Sequence, residues 1–173
     1  MKSIAQRAGF LAVVALVGAL IVALAPGLAR SQNNALRFDG VNDYVTFGAN
    51  TSYLGLKNFT IECWFYREGA GVYTTTGTGG VDDAIPLLTK GRGQTEDDPY
   101  DMNYFLGIRA TGNVLCGDYE EGPGQLTPSM NHPIIGVTPI QNNVWYHGAL
   151  AYDGTTLRLY LNGNLEATVT DWK

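Results

Sequence analysis

Three side chains near the C-terminus, Trp145, His147 and Asp153, are of the types that assemble into an acid–base site. Two carboxylates at alternating positions, Asp118 and Glu120, are the types that a two-carboxylate hydrolase would use. A third group, Asp97, Asp98 and Asp101 with Glu96, places several hard oxygen donors in one short polar stretch, which is what a calcium ion requires. Two cysteines, Cys63 and Cys116, allow a single disulfide pairing. Each set has an ordinary reading beside the chemical one. A histidine between aromatic neighbours is commonly structural, an acidic run is commonly solvated, and two thiols can be buried separately.

The elements around these residues are short and β-like. In "NFTIECWFYRE", Phe59, Ile61, Cys63 and Phe65 alternate with Thr60, Glu62, Trp64 and Tyr66, so one face is apolar. In "VWYHGALAYDGTTLRLYLNG", Trp145, His147, Ala149 and Ala151 share a face opposite Tyr146, Leu150 and Tyr152. Asp153-Gly154 then forms a turn, and Leu157, Leu159 and Leu161 line one side of the next strand. Asn162-Gly163 predicts a type I′ hairpin returning through Leu165 to Val169. Asp153 is thereby assigned to a turn, and the Trp145–His147–Asp153 trio reads as scaffold.

Earlier, Leu36 and Phe38 break at Asp39-Gly40 and resume at Tyr44, Val45 and Phe47, predicting a hairpin. Glu68 to Ala84 is a Gly/Thr-rich loop or irregular hairpin. "IPLLTK" reads as a strand, and "YFLGIRATGNVLCGDYEE" as strand, turn at Thr111-Gly112, and strand. Glu121 to Gly136, with Pro123, Pro128 and Pro133, reads as loop. No amphipathic helix follows residue 34, so the fold class is an all-β antiparallel sandwich or barrel.

The N-terminus is distinct. Lys2 and Arg7 precede an uncharged stretch from Ala8 to Ala29, with small residues at Gly27 and Ala29, a pattern that predicts a secretory signal over residues 1–29. The alternative is a retained anchor, since the stretch approaches the roughly 20 residues that span a bilayer. Either way residues 30–173 are expected outside the cytoplasm, secreted, periplasmic or membrane-anchored. Without residues 1–29 the chain carries 9 basic and 16 acidic side chains, a net of −7. Such a balance argues against nucleic acid and anionic membrane as partners.

"ALRFDGVNDYVTFG", "FTIECWFY" and "WYHGALAYDGTTLRLYLNGN", in this order over residues 35 to 168, resemble the laminin-G-like, concanavalin A-type jelly-roll domains. Gly148 departs from the pattern, where the family usually has a branched apolar residue. The resemblance implies a jelly-roll sandwich with further strands after the last hairpin, so residues 30–173 are expected to be a truncated domain. It also implies a non-catalytic extracellular recognition module that binds carbohydrate or a protein surface through rim loops, with calcium as its candidate cofactor. Some members of the wider fold are glycoside hydrolases with a pattern near E-x-D-x-x-E, which "GDYEE" matches only in part. A hydrolase fragment, or a purely structural piece of a larger surface protein, are the alternatives.

Overall fold

A computed structural model describes residues 34–48, 54–91, 103–120 and 130–170. The expected signal at residues 1–29 and the acidic cluster Asp97, Asp98 and Asp101 lie outside the described residues. Among those described, no helix is long and apolar enough to cross a membrane.

The sandwich lies within the unit Phe38–Lys173. Its strands are β1 (Phe59–Tyr66), β2 (Ala84–Lys90), β3 (Tyr104–Arg109), β4 (Val114–Tyr119), β5 (Ile134–Pro139), β6 (Trp145–Tyr152), β7 (Leu157–Leu161) and β8 (Asn164–Val169). They form two antiparallel sheets, in the orders β1-β6-β7-β8 (sheet A) and β2-β3-β4-β5 (sheet B). This is the all-β sandwich expected from the alternating pattern.

Period-two alternation sends one row of side chains from each strand between the sheets. Sheet A contributes Phe59, Ile61, Phe65, Tyr146, Leu150, Tyr152, Leu157, Leu159 and Leu161, and sheet B contributes Tyr104, Leu106, Ile108, Leu115, Tyr119 and Ile134. Burying one such side chain stabilises the fold by roughly 2 kcal/mol. At one end the core is aromatic, with the Tyr119 and Tyr152 ring centroids 4.6 Å apart and Phe59 5.3 Å from Tyr104. Gly148, the departure from the family pattern, has a packing explanation. A Cβ there would stand 3.1 Å from Leu115 Cδ1 of the opposite sheet and 3.2 Å from Phe65 Cε1 of the neighbouring strand, so that space is already filled.

The turns follow the sequence. Asn162 (φ 51°) and Gly163 (φ 78°) both adopt positive φ, as a type I′ turn demands. Asp153 Oδ1 accepts hydrogen bonds from the Thr155 and Thr156 amides at 3.0 and 2.8 Å, and its Oδ2 accepts from Arg158 Nη1 at 2.7 Å. At the far edge, Glu166 on β8 accepts from the Val137 and Thr138 amides of β5, each at 2.8 Å, and joins the two sheets.

Three expectations are corrected. The segment read as loop from Glu121 to Gly136 runs into the start of β5 at Ile134, which the preceding Pro133 disguises. As an edge strand of sheet B it tolerates prolines that a central strand would not. The hairpin expected over Leu36–Phe47 is a turn without paired strands. Asp39 Oδ1 accepts from the Val41 and Asn42 amides, at 2.8 and 3.3 Å, but Phe38, Val45 and Phe47 remain exposed. A two-stranded hairpin without a third strand or a packed face is marginal in water. The third correction is the disulfide. Cys63 and Cys116 are free. Cys63 borders the core between the sheets, whereas Cys116 lies in a separate cluster with Val81, Ala84 and Phe105 on the other side of sheet B. The alternation that places Leu115 inward places Cys116 outward, away from Cys63.

Candidate functional site

The β1–β6 pairing sets Trp64 opposite His147, Tyr66 opposite Trp145 and Glu62 opposite Ala149, all on the side of sheet A that faces away from the core. The result is a block of four rings. Trp64 and His147 have centroids 5.2 Å apart with planes inclined at 49°, and Tyr66 and Trp145 are 5.4 Å apart at 46°. The block is open to solvent, with Trp64 67%, Trp145 50% and Tyr66 39% exposed. Large rings left in water in one contiguous patch are the informative exception to apolar burial, and such patches mark binding surfaces.

The block is held firmly. β1 and β6 pair with each other along all eight residues, and His147 is fixed by the I′ turn, where its amide donates to Asn162 Oδ1 and its carbonyl accepts from the Asn162 amide, both at 2.8 Å. Glu62 reaches across so that its Oε2 lies 3.6 Å from His147 Nε2. That gap is longer than a direct hydrogen bond.

The solvent side of sheet B is built differently. The segment from Thr74 to Asp83 folds across it as an irregular hairpin, with Thr74 paired to Ala84 and the Thr76 amide donating to the Val81 carbonyl at 3.0 Å. Beneath it, Asp118 is fully buried. Its Oδ2 accepts from the Thr76 hydroxyl and from the Val81 amide at 3.1 Å, and its Oδ1 accepts from the Tyr119 and His132 amides, each at 2.8 Å. Burial pushes its carboxyl up to about 6, against the pull of the Thr76 hydroxyl and these amides. Glu120, just beyond β4, is also buried. Gly80 lies directly over this carboxylate, and a Cβ there would stand 2.6 Å from Asp118 Oδ2.

A family model of laminin-G type, described as the concanavalin A-like lectin/glucanases superfamily, matches residues 39–172. The chain belongs to this superfamily. No curated protein matched the chain. The superfamily's description joins lectins with glucanases, so membership establishes the sandwich and does not by itself divide binding from hydrolysis.

Within this concanavalin A-like sandwich the expected residues are distributed as follows. Trp145 and His147 share the open face, and Asp153 is engaged by its turn and Arg158. Asp118 lies near the end of β4 beneath the Thr74–Asp83 segment, and Glu120, two residues on, is buried and bridged to Asn131. Cys116 is pushed up to about 12, by burial first and by the nearby Asp118 carboxylate second, and burial raises Cys63 as well, so neither thiol is poised as a nucleophile. The described residues hold no group of three or more His, Cys, Asp or Glu side chains arranged for a metal. Trp64, Tyr66 and Glu62 were not singled out from the sequence. The available signal was that both β1 and β6 place aromatic rings on the face opposite their apolar row.

Proposed function

We propose that this domain is a non-catalytic carbohydrate-recognition module that binds its ligand on the open face of β1 and β6. The observation that carries this reading is the exposed block of Trp64, Tyr66 and Trp145, with His147 and Glu62 at its border. A sugar ring has an apolar face of C–H bonds and a rim of hydroxyls. Aromatic rings match the first, and a carboxylate beside an imidazole matches the second. A rigid sheet presents them with little ordering entropy left to lose on binding. The sheet face therefore takes precedence over the rim loops expected from the sequence. The N-terminal pattern of basic, apolar and small residues supports action outside the cytoplasm.

Hydrolysis by Asp118 and Glu120 is the rival. A catalytic carboxylate must reach the glycosidic bond, and Asp118 is buried with four donors directed at its two oxygens. The test is a glycan array probed with the wild type and with Trp64→Ala, together with an assay for release of reducing sugar. Binding that disappears in the variant without sugar release is the expected result. Sugar release that Glu120→Gln abolishes would establish the rival, and binding to no glycan would leave a structural or protein-binding role.

A further inference from the structure

The open face also defines the class of sugar. We infer that its ligand is a neutral oligosaccharide of at least two rings, held without a metal ion, and that anionic glycans are rejected. This rests on the carbohydrate reading of the face.

The first argument is charge. Besides the four rings, the solvent side of β1, β6 and β7 presents Thr60, Glu62, Ala149, Ala151, Arg158 and Tyr160, by the alternation and register of these strands. The carboxylate of this set, Glu62, is exposed at the border of the aromatic block. The guanidinium, Arg158, donates to Asp153 Oδ2 at 2.7 Å and is neutralised by it. A sulfate or uronate arriving on the rings thus meets a carboxylate of like sign and no uncommitted cation on these three strands. Recognition of sulfate or carboxylate groups normally relies on Arg or Lys.

The second argument is the Glu62–His147 gap. At 3.6 Å it is too long for a direct hydrogen bond. A hydroxyl oxygen placed to one side of the pair can reach both atoms, donating its proton to Glu62 Oε2 and accepting from His147 Nε2–H. Neutral and anionic glycans both carry such hydroxyls, so this contact selects a sugar rim, and the rejection of anions rests on the charge of Glu62. The third argument is span. The Trp64–His147 and Tyr66–Trp145 rows are one pleat repeat apart, about 7 Å at about 3.4 Å per residue. Two linked rings can each cover a row. Among the described residues, Glu62 is the one carboxylate beside these rings, and Asp153 is engaged by Arg158, which leaves too few oxygen donors there for calcium.

The test is titration calorimetry of the full chain at pH 8, with and without EDTA, against neutral β-linked tetrasaccharides of glucose, mannose and xylose and against a heparin tetrasaccharide. At least one neutral tetrasaccharide should bind with the same affinity in EDTA, and heparin should bind at least tenfold more weakly. Glu62→Gln should weaken the neutral ligand about tenfold, and Glu62→Lys should reverse the preference. Both substitutions are at an exposed position, and an unchanged melting temperature checks that the fold is intact. Heparin binding as tight as neutral binding, or loss of binding in EDTA, would overturn the neutral, metal-free site while leaving the carbohydrate reading in place. Binding of none of these glycans would overturn both.

Discussion

Sheet A turns Trp64, Tyr66 and Trp145 to water, whereas on the corresponding side of sheet B the residues Phe105, Cys116 and Asp118 are covered by the chain's own Thr74–Asp83 segment. Both sheets share one core and have four strands each among the described residues. They differ in what closes the second layer. Over sheet B the covering segment brings Val81 to pack on Phe105 and Cys116, and a polar anchor in Thr76 and the Val81 amide. Over β1 and β6 the rings pair with one another instead. The covered face is therefore expected to govern stability and the open face to govern binding, and substitutions on the two should separate cleanly.

The largest effect is expected at the anchor. Asp118→Ala removes the acceptor shared by the Thr76 hydroxyl and the Val81, Tyr119 and His132 amides. Hydrogen bonds to a charged group contribute roughly 1.5–3 kcal/mol each, and part is offset because a buried charge disappears. A net loss of about 4 kcal/mol is expected in urea unfolding, with glycan affinity unchanged in whatever fraction remains folded. A loss under 1 kcal/mol would mean the covering segment is held by Val81 and Ala84 packing alone.

The same residue predicts the pH response. Burial raises Asp118 from its ordinary 3.8 to about 6 in the fold. The folded chain then binds its proton at a pH where the unfolded chain does not. Stability is accordingly gained as pH falls through 6 toward 4, and the penalty for the ionised form is fully present above that window. A shift of this size corresponds to at most about 3 kcal/mol. Asp153 and Glu166 act with the opposite sign. Arg158 and the Thr155 and Thr156 groups hold Asp153 well below the usual range. At Glu166 burial opposes, but the Thr138 and Val137 donors prevail. What these two contribute is present above the ordinary carboxylate range and is lost only at lower pH. Melting temperatures of the wild type and Asp118→Asn between pH 4 and 7.5 should therefore diverge. The wild type should rise on acidification through 6 and the variant should stay flatter. Parallel curves would show that Asp118 does not titrate in this interval.

How far the sequence could lead is visible in the same two faces. The alternation of Phe59, Ile61, Cys63 and Phe65 with Thr60, Glu62, Trp64 and Tyr66 was readable because the period of a strand is local. So was the I′ turn at Asn162-Gly163, since positive φ selects those residue types. The anchor was not readable. Asp118 meets Thr76, Val81 and His132 at separations of 42, 37 and 14 residues, which no local pattern encodes. β5 was hidden for a different reason, because prolines that mark loops are also tolerated at a sheet edge. The disulfide failed because alternation divides a strand into two faces without saying which one turns to the core, and in β4 that face is the one of Leu115, not of Cys116. The aromatic block was half legible. Each outward row could be written down, yet reading Trp145 and His147 as scaffold depended on not knowing that β1 pairs with β6. That pairing places Trp64 beside His147.

The smallest stability effect separates the faces most sharply. Trp64 makes its ring contact with His147 and otherwise faces water. Trp64→Ala thus removes little buried area, and exposed substitutions of this kind usually fall within about 0.5 kcal/mol. Ligand affinity should nevertheless drop below detection by calorimetry, since the ring forms half of the platform for one sugar. A fully buried large aromatic truncated to Ala commonly costs about 3–5 kcal/mol, so an effect of that size at Trp64 would identify the ring as part of a packed layer. In that case the bare face would be a surface normally covered by protein, and the sugar would have to be sought elsewhere. A near-silent thermal profile combined with lost binding has the opposite meaning: the residue is kept at a solvation penalty that only the ligand relieves.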